Sequence, residues 1–389
     1  MLTAYLIFSV LLASAYGAIM RNYWHGWRSL PAWILPKNYN PTTPVTVVIP
    51  ARNEAENIGE CLRSILAGTY SPGLLEIIVV DDHSEDATAQ IVAQIAESQA
   101  VKIRLLRLAD FVAPDERLNS HKKKAIETAL AHASGELIVT TDADCICPPD
   151  WLRLLVSVFE RWSQVRMVAA PVLFHRERGL LERFQSLDFA GMMGITGAGI
   201  HLRFQRMGNG ANLAYRKSAF EAVGGYAGVD GRASGDDVFL MQKIAARWPN
   251  GSVFFLKNAA ATVLTEAKPT LREFVRQRIR WGSKNAASPE RRVTLILAAV
   301  FFFCWNILLN AVLLVFFPRW ELGMALAIQL IYKALADWRL LREMCVFFGR
   351  RDLLRWFWPS FFMHIVYIAG VGAASQFFQK YEWKGRRVR

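Results

Sequence analysis

The chain has 389 residues, a length that fits one large domain with additional elements or two modest domains. Hydrophobic residues make up 53% of it, which is high for a soluble enzyme and indicates membrane segments. The net charge of +13 suits binding to nucleic acid, to anionic lipid or to a phosphorylated substrate. Much of the basic charge lies beside apolar runs, which favours a lipid surface over nucleic acid. The five cysteines are scattered and odd in number, so no disulfide framework is implied.

The first predicted element is a membrane anchor. Residues 2–20 carry no charge and are just long enough to span a bilayer. No basic segment or small-residue cleavage site accompanies the run, and Arg21 and Arg28 follow it, which indicates a retained signal anchor. We therefore predict a transmembrane anchor at residues 1–28, and the positive-inside rule then places the following chain in the cytoplasm.

Residues 45–284 have the composition of a globular α/β domain. Runs rich in β-branched residues predict strands at 45–49, 76–80, 101–106, 137–141, 167–172 and 253–256. Amphipathic stretches predict helices at 56–66, 87–95 and 124–133. Continuous apolar strands that alternate with helices favour a mostly parallel sheet covered on both faces. Ligands of such sheets bind at the carboxyl ends of the strands.

Further apolar runs follow this domain, within residues 293–379. Residues 293–318 and 356–379 are charge-free and predict membrane helices. A shorter run at 322–336 carries Lys333 near one end, where the side chain can snorkel to the interface. Three spans here would put the basic tail, residues 380–389, outside, against the positive-inside rule, so one segment can instead lie in the interface. The sequence thus predicts two to three membrane helices.

Acidic residues stand at the predicted ends of successive strands. Such a convergence costs electrostatic repulsion unless a cation or donor groups balance it. Any single acidic pair is equally well explained by a turn or a helix cap, so the convergence is the signal. The residues concerned are Glu54 after the first strand, Asp81 and Asp82 after the second, Asp142 and Asp144 after the strand at 137–141, and Asp236 and Asp237 in a later loop at 234–237.

Asp142 and Asp144 predict a metal site. On an extended segment they place two carboxylates on the same side, which suits Mg2+ or Mn2+ that also coordinates a diphosphate. Such an ion offsets the charge that develops on a nucleotide leaving group. The neighbouring Cys145 and Cys147 have no second pair at zinc-site spacing, so packing explains them better than metal binding.

Residues 121–124 read His-Lys-Lys-Lys at the start of a predicted helix. Lysines at a helix start suit a phosphate, because the helix dipole and the ammonium groups both favour an anion. A solvated basic turn is the alternative. The chain contains neither G-x-x-x-x-G-K-[ST] nor G-x-G-x-x-G, so the P-loop and Rossmann modes of phosphate binding are unsupported.

Together these motifs resemble those of family 2 glycosyltransferases of the processive or lipid-modifying kind. The resemblance spans residues 45–284, and it implies a GT-A-type nucleotide-sugar-binding domain. Together with the patterns above, the expected fold is such a domain with a mostly parallel sheet, flanked by one amino-terminal and two to three carboxyl-terminal membrane helices. The motifs that carry it are V-V-I-P-A-R-N-E at 47–54, V-V-D-D-H-S at 79–84, D-A-D at 142–144, G-N-G-A-N at 208–212, D-D at 236–237 and Q-R-I-R-W at 277–281.

The resemblance also implies residue roles. Asp237 is the expected general base, with Asp236 beside it, and Asp142 and Asp144 hold the metal. The implied substrate-binding residues are Glu54, Asp81 and Asp82 at the nucleoside, Lys122 near the diphosphate, Gln277, Arg280 and Trp281 at the acceptor and pyrophosphate end, and Pro50, Arg52, Asn209, Gly210 and Asn212 within the shared motifs. Without the other motifs, residues 271–284 would be read as an ordinary amphipathic helix at the membrane surface.

Two positions depart from the family pattern. The family's Glu-Asp pair reads Asp236-Asp237 here, so the first carboxylate is one methylene shorter. His121 stands where a glycine commonly precedes the lysine, which changes the expected conformation of that loop.

The function expected from the sequence is inverting transfer from a UDP- or GDP-sugar to a lipid or lipid-linked acceptor. The enzyme would be a multi-pass protein of the bacterial inner membrane with a cytoplasmic catalytic domain and no nucleic-acid partner. A processive polysaccharide synthase with a glycan acceptor is the alternative, although few helices are available to form an export lumen. A nucleotidyltransferase would carry a glycine-rich, arginine-bearing loop where this chain has P-A-R-N-E. A non-enzymatic membrane-surface module would not need Asp142, Asp144 and Asp237 together.

Overall fold

The computed structural model describes residues 2–113, 119–229, 235–285, 291–377, 381–383 and 386–388. The chain forms two compact units. We call residues 31–175, 206–266 and 382–389 the sheet unit, and residues 1–30, 176–205 and 267–381 the helical unit. Two segments of the predicted domain 45–284, residues 176–205 and 267–284, therefore belong to the helical unit.

The elements are numbered in chain order. The helices are α1 (Leu2–Ser29), α2 (Ile58–Leu66), α3 (Thr88–Glu97), α4 (His121–His132), α5 (Trp151–Arg161), α6 (Leu180–His201), α7 (Lys217–Ala222), α8 (Asp236–Arg247), α9 (Leu271–Asn285), α10 (Arg291–Phe316), α11 (Trp320–Phe347) and α12 (Phe357–Phe377). The strands are β1 (Val45–Ala51), β2 (Leu75–Asp81), β3 (Lys102–Arg107), β4 (Leu137–Thr140), β5 (Met167–Ala169), β6 (Val172–His175), β7 (Leu213–Arg216), β8 (Val253–Phe255), β9 (Val263–Glu266), β10 (Tyr381–Trp383) and β11 (Arg386–Val388).

A seven-stranded sheet organises the described part of the sheet unit, in the order β3-β2-β1-β4-β7-β5-β8. Strands β3, β2, β1 and β4 are parallel, β7 runs antiparallel to both β4 and β5, and β5 is parallel to β8. The predicted mostly parallel sheet is thereby confirmed. In β1 and β2, which lie inside the sheet, nearly every residue is buried, as expected for strands covered on both faces.

The predicted strands differ from the structure in the part of the chain that forms β5, β6, β7 and β9. The single strand predicted at 167–172 is wrong, because β5 and β6 are separate strands in different sheets, and β6 pairs with β9. Pro171 lies between them and has no N–H to donate, which favours a break in the ladder. Strands β7 and β9 were not predicted; both pair with strands far away in the sequence, which local patterns do not show.

Among the described residues, three helices are long and apolar enough to cross a membrane by length and composition: Leu2–Ser29, Arg292–Phe316 and Arg351–Ser375. They confirm the one amino-terminal and two of the carboxyl-terminal apolar helices predicted from the sequence. Helix α11 covers the shorter run at 322–336 but does not belong to this set. Of the predicted basic tail at 380–389, residues 380, 384, 385 and 389 lie outside the described residues, and the rest form the paired strands β10 and β11.

The predicted snorkelling of Lys333 is wrong. Its side chain is fully buried within the helical unit and forms an ion pair with Asp337, one turn further along α11. Its Nζ atom also lies 3.4 Å from the hydroxyl oxygen of Tyr16 on α1. A buried charge needs a partner of opposite sign, and Asp337 supplies it without exposure of the lysine to the interface.

Candidate active site

The carboxyl ends of β1, β2 and β4 meet at one edge of the sheet. Ala51 at the end of β1 is in register with Asp81 at the end of β2, and Val48 is in register with Thr140 at the end of β4. The segments that follow these strands therefore emerge side by side, as the sequence predicts for a ligand site in a parallel sheet. Helix α4, which packs on β1 and β2, brings its first turn to the same edge.

Arg52 ties the first two of these segments together. Its guanidinium is buried and donates hydrogen bonds to the carbonyl oxygens of Asp82 at 2.8 Å and His83 at 2.9 Å. Asn53 and His83 adopt left-handed backbone conformations, with φ of 49° and 55°, which non-glycine residues rarely take. The two loops are therefore held in one conformation. The strained backbone costs conformational free energy, as is common at functional sites.

The predicted nucleoside residues lie in these loops. Oδ2 of Asp81 accepts a hydrogen bond from the backbone N–H of Ser84 at 3.4 Å, whereas Oδ1 is buried and has no partner among the described residues. Buried polar atoms are normally satisfied, so Oδ1 is a candidate acceptor for a ligand donor. Glu54 accepts from the Asn57 amide at 2.9 Å, and Pro50 is part of β1, in register with Val80.

Lys122 lies at the centre of the charged groups. Its Nζ atom is 2.6 Å from Oδ1 of Asp142 and 3.7 Å from Oδ2 of Asp236. Burial lowers the pKa of Lys122, but the nearby carboxylates, Asp142 foremost, outweigh it, so the pKa is raised well above its ordinary value. The next lysine, Lys123, is buried and donates to the carbonyl oxygen of Val229 at 2.6 Å. Of these two lysines, Lys122 therefore supplies the ammonium group beside Asp142.

Asp142 and Asp144 follow β4, but not on an extended segment. The backbone N–H of Cys145 donates to the carbonyl oxygen of Asp142 at 3.1 Å, which closes a turn and corrects the predicted extended geometry. Both aspartates are partly exposed, with 38% of the Asp142 side chain accessible. Burial raises the pKa of the Cys145 thiol and raises that of Cys147 to about 12, which keeps both protonated and agrees with a packing role.

Asp236 and Asp237 begin α8 and are both buried. Oδ1 of Asp237 accepts from the backbone N–H of Val238 at 2.8 Å, and Oδ2 accepts from the backbone N–H of Gly210 at 3.3 Å. A Cβ atom on Gly210 would lie 3.1 Å from Oδ2 of Asp236 and 3.3 Å from Nζ of Lys122. A side chain at position 210 would therefore crowd the charged cluster, which favours glycine where this loop approaches it.

The rest of the G-N-G-A-N motif has a structural role. Oδ1 of Asn209 accepts from the backbone N–H of Ala211 at 3.0 Å and caps a short 3-10 turn. Asn212 is fully buried; its amide donates to the carbonyl oxygens of Pro171 and Ala261 and accepts from the indole of Trp151. The predicted substrate contact of Asn212 is therefore wrong, because its polar atoms are already used within the protein.

Gln277, Arg280 and Trp281 lie on α9 in the helical unit, whereas the other predicted site residues lie in the sheet unit. Residues 271–284, which without the other motifs would be read as an amphipathic helix, are helical in the structure. Within the helical unit the Trp281 ring packs 5.8 Å from the ring of Phe189. Oε1 of Gln277 is buried and has no hydrogen-bond partner among the described residues.

Sequence reasoning missed one cluster at this edge of the sheet. Nδ1 of His83 and Nδ1 of His121 each lie 3.0 Å from the same atom, Oδ1 of Asp82. The signal was available, because one histidine directly follows the Asp81-Asp82 pair and the other starts α4. His121 was considered only as part of the basic helix start at 121–124 and as a replacement for a glycine.

Family models match most of this region. The model of glycosyl transferase family 2 matches residues 46–223, and that of glycosyl transferase family group 2 matches residues 137–368, more than half of the chain. The chain belongs to the family 2 glycosyltransferases. The resemblance predicted from the motifs is confirmed.

Curated family 2 relatives are similar over part of their length. "Probable glycosyltransferase YdaM" of Bacillus subtilis is 26% identical over 270 residues, which cover 68% of this chain and 60% of the relative. An undecaprenyl-phosphate 4-deoxy-4-formamido-L-arabinose transferase of Salmonella enteritidis is 36% identical over 121 residues, 30% of this chain and 34% of that protein. The matched region thus spans less than two thirds of either relative.

A solved structure has the same fold. The mannosyltransferase PcManGT from Pyrobaculum calidifontis, solved in complex with GDP-Man and Mn2+, superimposes with a TM-score of 0.58 at 21% identity. The match covers 97% of this chain and 99% of that one. At this identity the likeness establishes the fold, and it confirms the GT-A-type architecture predicted from the sequence.

Proposed function

We propose that this family 2 enzyme is a membrane-bound inverting glycosyltransferase that moves a sugar from a UDP- or GDP-sugar to a lipid or lipid-linked acceptor. One observation carries the proposal: the ammonium group of Lys122 lies between Asp142 and Asp236, and Gly210 and Asp237 adjoin it. A fixed cation flanked by carboxylates suits a diphosphate and the divalent ion that accompanies it.

The nucleoside of the donor binds at the ends of β1 and β2. The buried Oδ1 atom of Asp81 accepts a hydrogen bond from the base or the ribose, which supplies the partner it lacks. Glu54 and Asp82 lie in the segments that follow β1 and β2, and Arg52 holds both loops in shape through the carbonyl oxygens of residues 82 and 83. Binding therefore requires little rearrangement of the loops.

Asp142 and Asp144 fit Mg2+ or Mn2+, since both offer partly exposed carboxylate oxygens, the ligands that these hard cations prefer. When bound, the ion supplies positive charge that stabilises the departing nucleoside diphosphate. The Mn2+ bound with GDP-Man in the Pyrobaculum structure supports this choice. Lys122 adds a permanent positive charge next to Asp142, because its raised pKa keeps it protonated.

Asp237 acts as the general base. Its carboxylate is fixed by two backbone N–H groups, from Gly210 and Val238, and takes the proton of the acceptor hydroxyl. The acceptor oxygen forms a bond to the anomeric carbon as the bond from that carbon to the diphosphate oxygen breaks on the opposite face, which inverts the configuration. Asp236 pairs with Lys122 and so connects the base to the donor end of the site.

A lipid acceptor agrees with the composition of the helical unit. Three of its helices are long and apolar enough to span a bilayer, and α9 carries Gln277, Arg280 and Trp281, assigned here to the acceptor end. A guanidinium can pair with a phosphate in a fork, and an indole offers a flat apolar face to a sugar. The name of the Salmonella relative, a transferase for undecaprenyl phosphate, supports a lipid-linked acceptor. We place the enzyme in the bacterial inner membrane with the sheet unit in the cytoplasm.

The test is sugar transfer by the full chain purified in detergent. The protein is supplied with radiolabelled UDP- and GDP-sugars, native membrane lipid extract and Mg2+ or Mn2+, and the product is partitioned between organic solvent and water. The proposal predicts that one donor labels the organic phase and that label requires both lipid and metal. A long water-soluble glycan would instead identify a polysaccharide synthase, and no transfer from any UDP- or GDP-sugar would contradict the proposed donor class.

A further inference from the structure

A second group of potential metal ligands contains histidines, unlike the carboxylate pair Asp142 and Asp144. Asp82, His83 and His121 each offer one ligand atom, and these atoms lie within 4.8 Å of one another. Both imidazole Nδ1 atoms are 3.0 Å from Oδ1 of Asp82. In a tetrahedral zinc site, with bonds of about 2.0–2.2 Å, ligand atoms are separated by about 3.3–3.5 Å. The two Nδ1–Oδ1 spacings are close to these values, and the third pair of ligand atoms lies within 4.8 Å.

The fold fixes two of the three ligands. Asp82 is buried, and its backbone is held by a hydrogen bond from its N–H to the carbonyl oxygen of Ala51 at 2.8 Å and by the guanidinium of Arg52. His121 is the first residue of α4, and its side chain is 17% exposed. Ligands positioned by packed elements and backbone hydrogen bonds need little reorganisation on binding an ion.

The third ligand faces solvent. The side chain of His83 is 42% exposed, and its left-handed backbone conformation accompanies the short contact with Asp82. This exposed ring gives an ion a route of entry, and its rotation can adjust the third bond. Three protein ligands leave a fourth position open to water, as in zinc sites that exchange ligands.

The surrounding charges permit a cation. The guanidinium of Arg52 bonds the carbonyl oxygens of Asp82 and His83 and lies 3.8 Å from the carboxylate of Glu85, which offsets its charge. The buried carboxylate of Asp82 offsets part of the charge of a bound ion. Two imidazoles and one carboxylate suit Zn2+, Co2+ or Ni2+ rather than Mg2+, which prefers a set of oxygens.

We infer that Asp82, His83 and His121 form a binding site for a borderline divalent metal ion of the Zn2+ class, distinct from the Mg2+ or Mn2+ site at Asp142 and Asp144. The ion replaces the hydrogen bonds between the two imidazoles and Asp82. The site itself does not depend on the proposed function. One consequence does: since the nucleoside is also assigned to Asp82, the ion and the donor compete for this carboxylate.

The experiment is Co2+ titration of the full chain, purified in detergent without a histidine tag and stripped of metal with a chelator. Visible absorption of Co2+ reports nitrogen ligation in four- or five-coordinate sites, and no catalytic activity is needed. The titration is run on a background with Asp142→Asn and Asp144→Asn, which removes the oxygen-rich site. The added substitutions are His121→Gln, His83→Gln and, as a matched control, His132→Gln at the other end of α4.

The inference predicts intense Co2+ bands that saturate at one ion per chain in the background variant and that Zn2+ abolishes. His121→Gln and His83→Gln should each weaken Co2+ binding on the order of 10-fold or more, because loss of a partner that only orients a ligand already has an effect of that size. His132→Gln should leave the Co2+ affinity unchanged. Because His83 is exposed, its substitution tests the site even if His121→Gln misfolds. Weak octahedral-type bands only, or bands unchanged by both ligand substitutions, would overturn the inference.

Discussion

The Nζ atom of Lys122, in the first turn of α4, lies 2.6 Å from Oδ1 of Asp142, which follows β4. The pair joins a helix start to the segment that carries both predicted metal ligands. It also explains how the carboxylates of Asp142 and Asp236 can lie near each other at this edge of the sheet, because the ammonium group of Lys122 offsets both.

Lys122→Met should reduce kcat/KM for sugar transfer on the order of 100-fold, the loss typical of a fixed group that stabilises developing negative charge. Removal of the ammonium also leaves Asp142 and Asp236 without their shared cation. The measurement is initial-rate kinetics with the active donor, at saturating Mg2+ or Mn2+. Lys124→Met, two residues further along α4, is the matched control; an equal loss in both variants would contradict the assignment of Lys122.

Gly210→Ala should lower kcat/KM on the order of 10-fold while the protein remains folded. The added Cβ would lie 3.1 Å from Oδ2 of Asp236 and 3.3 Å from Nζ of Lys122, so the charged cluster must move by a few tenths of an ångström. Gly73→Ala is a matched control, since Gly73 also lies in a short 3-10 turn but a Cβ there meets no atom within 4 Å. Kinetics of both variants check the expectation, and wild-type activity in Gly210→Ala would refute the close approach.

Glu76 provides a pH-dependent contribution to the stability of the sheet unit. Burial raises its pKa, but hydrogen bonds from Ser134, Lys102 and Thr46 outweigh this and lower the pKa from 4.5 to about 2. The group is therefore ionised more readily in the folded state, and its stabilisation is present above pH 4.5 and is lost as the pH falls towards 2.

Glu76→Gln should therefore cost about 1–3 kcal/mol of unfolding free energy at neutral pH and make the acid unfolding curve shallower between pH 4.5 and 2. Denaturant unfolding of the detergent-solubilised chain, followed by tryptophan fluorescence across this range, measures both effects. Glu97→Gln, at an exposed position at the end of α3, should change neither quantity. A pH dependence identical to wild type in Glu76→Gln would rule out this role.

Arg278 and Asp188 form a buried ion pair within the helical unit. Their charged atoms are 3.1 Å apart, and the side chains are 1% and 8% exposed. Loss of one partner leaves an uncompensated buried charge, so Arg278→Met alone should destabilise the protein by about 3–5 kcal/mol. The double variant Arg278→Met, Asp188→Leu should recover part of that loss, since it removes both charges. Tm in detergent tests this, and additive losses would show that the two residues are not coupled.

The sequence was sufficient for the parts of the fold that have long, regular patterns. Strands β1 and β2 are nearly continuous apolar runs, so their positions and the acidic residues at their ends could be predicted. Strand β7 could not, because its antiparallel place between β4 and β5 depends on long-range pairing.

The same limit applies to side-chain partners. Spacing could place Asp142 and Asp144 together but not reveal the turn between them, which depends on one backbone hydrogen bond. Charge patterning could not reveal that Lys333 is buried with Asp337, since a snorkelling lysine has the same sequence. The sequence could not show that the Asn212 side chain forms its hydrogen bonds within the protein, because its partners Pro171, Ala261 and Trp151 lie in separate segments of the chain.

Asp237→Asn tests the central claim most directly. The asparagine oxygen can still accept a backbone hydrogen bond, but the side chain cannot take a proton from the acceptor hydroxyl. Release of nucleoside diphosphate by the full chain, with its active donor, lipid extract and metal, is compared with binding of the same donor to each protein. The account predicts that release falls by about 10²–10⁴-fold while donor affinity stays within a few-fold of wild type. Undiminished release from Asp237→Asn would contradict its assignment as the general base.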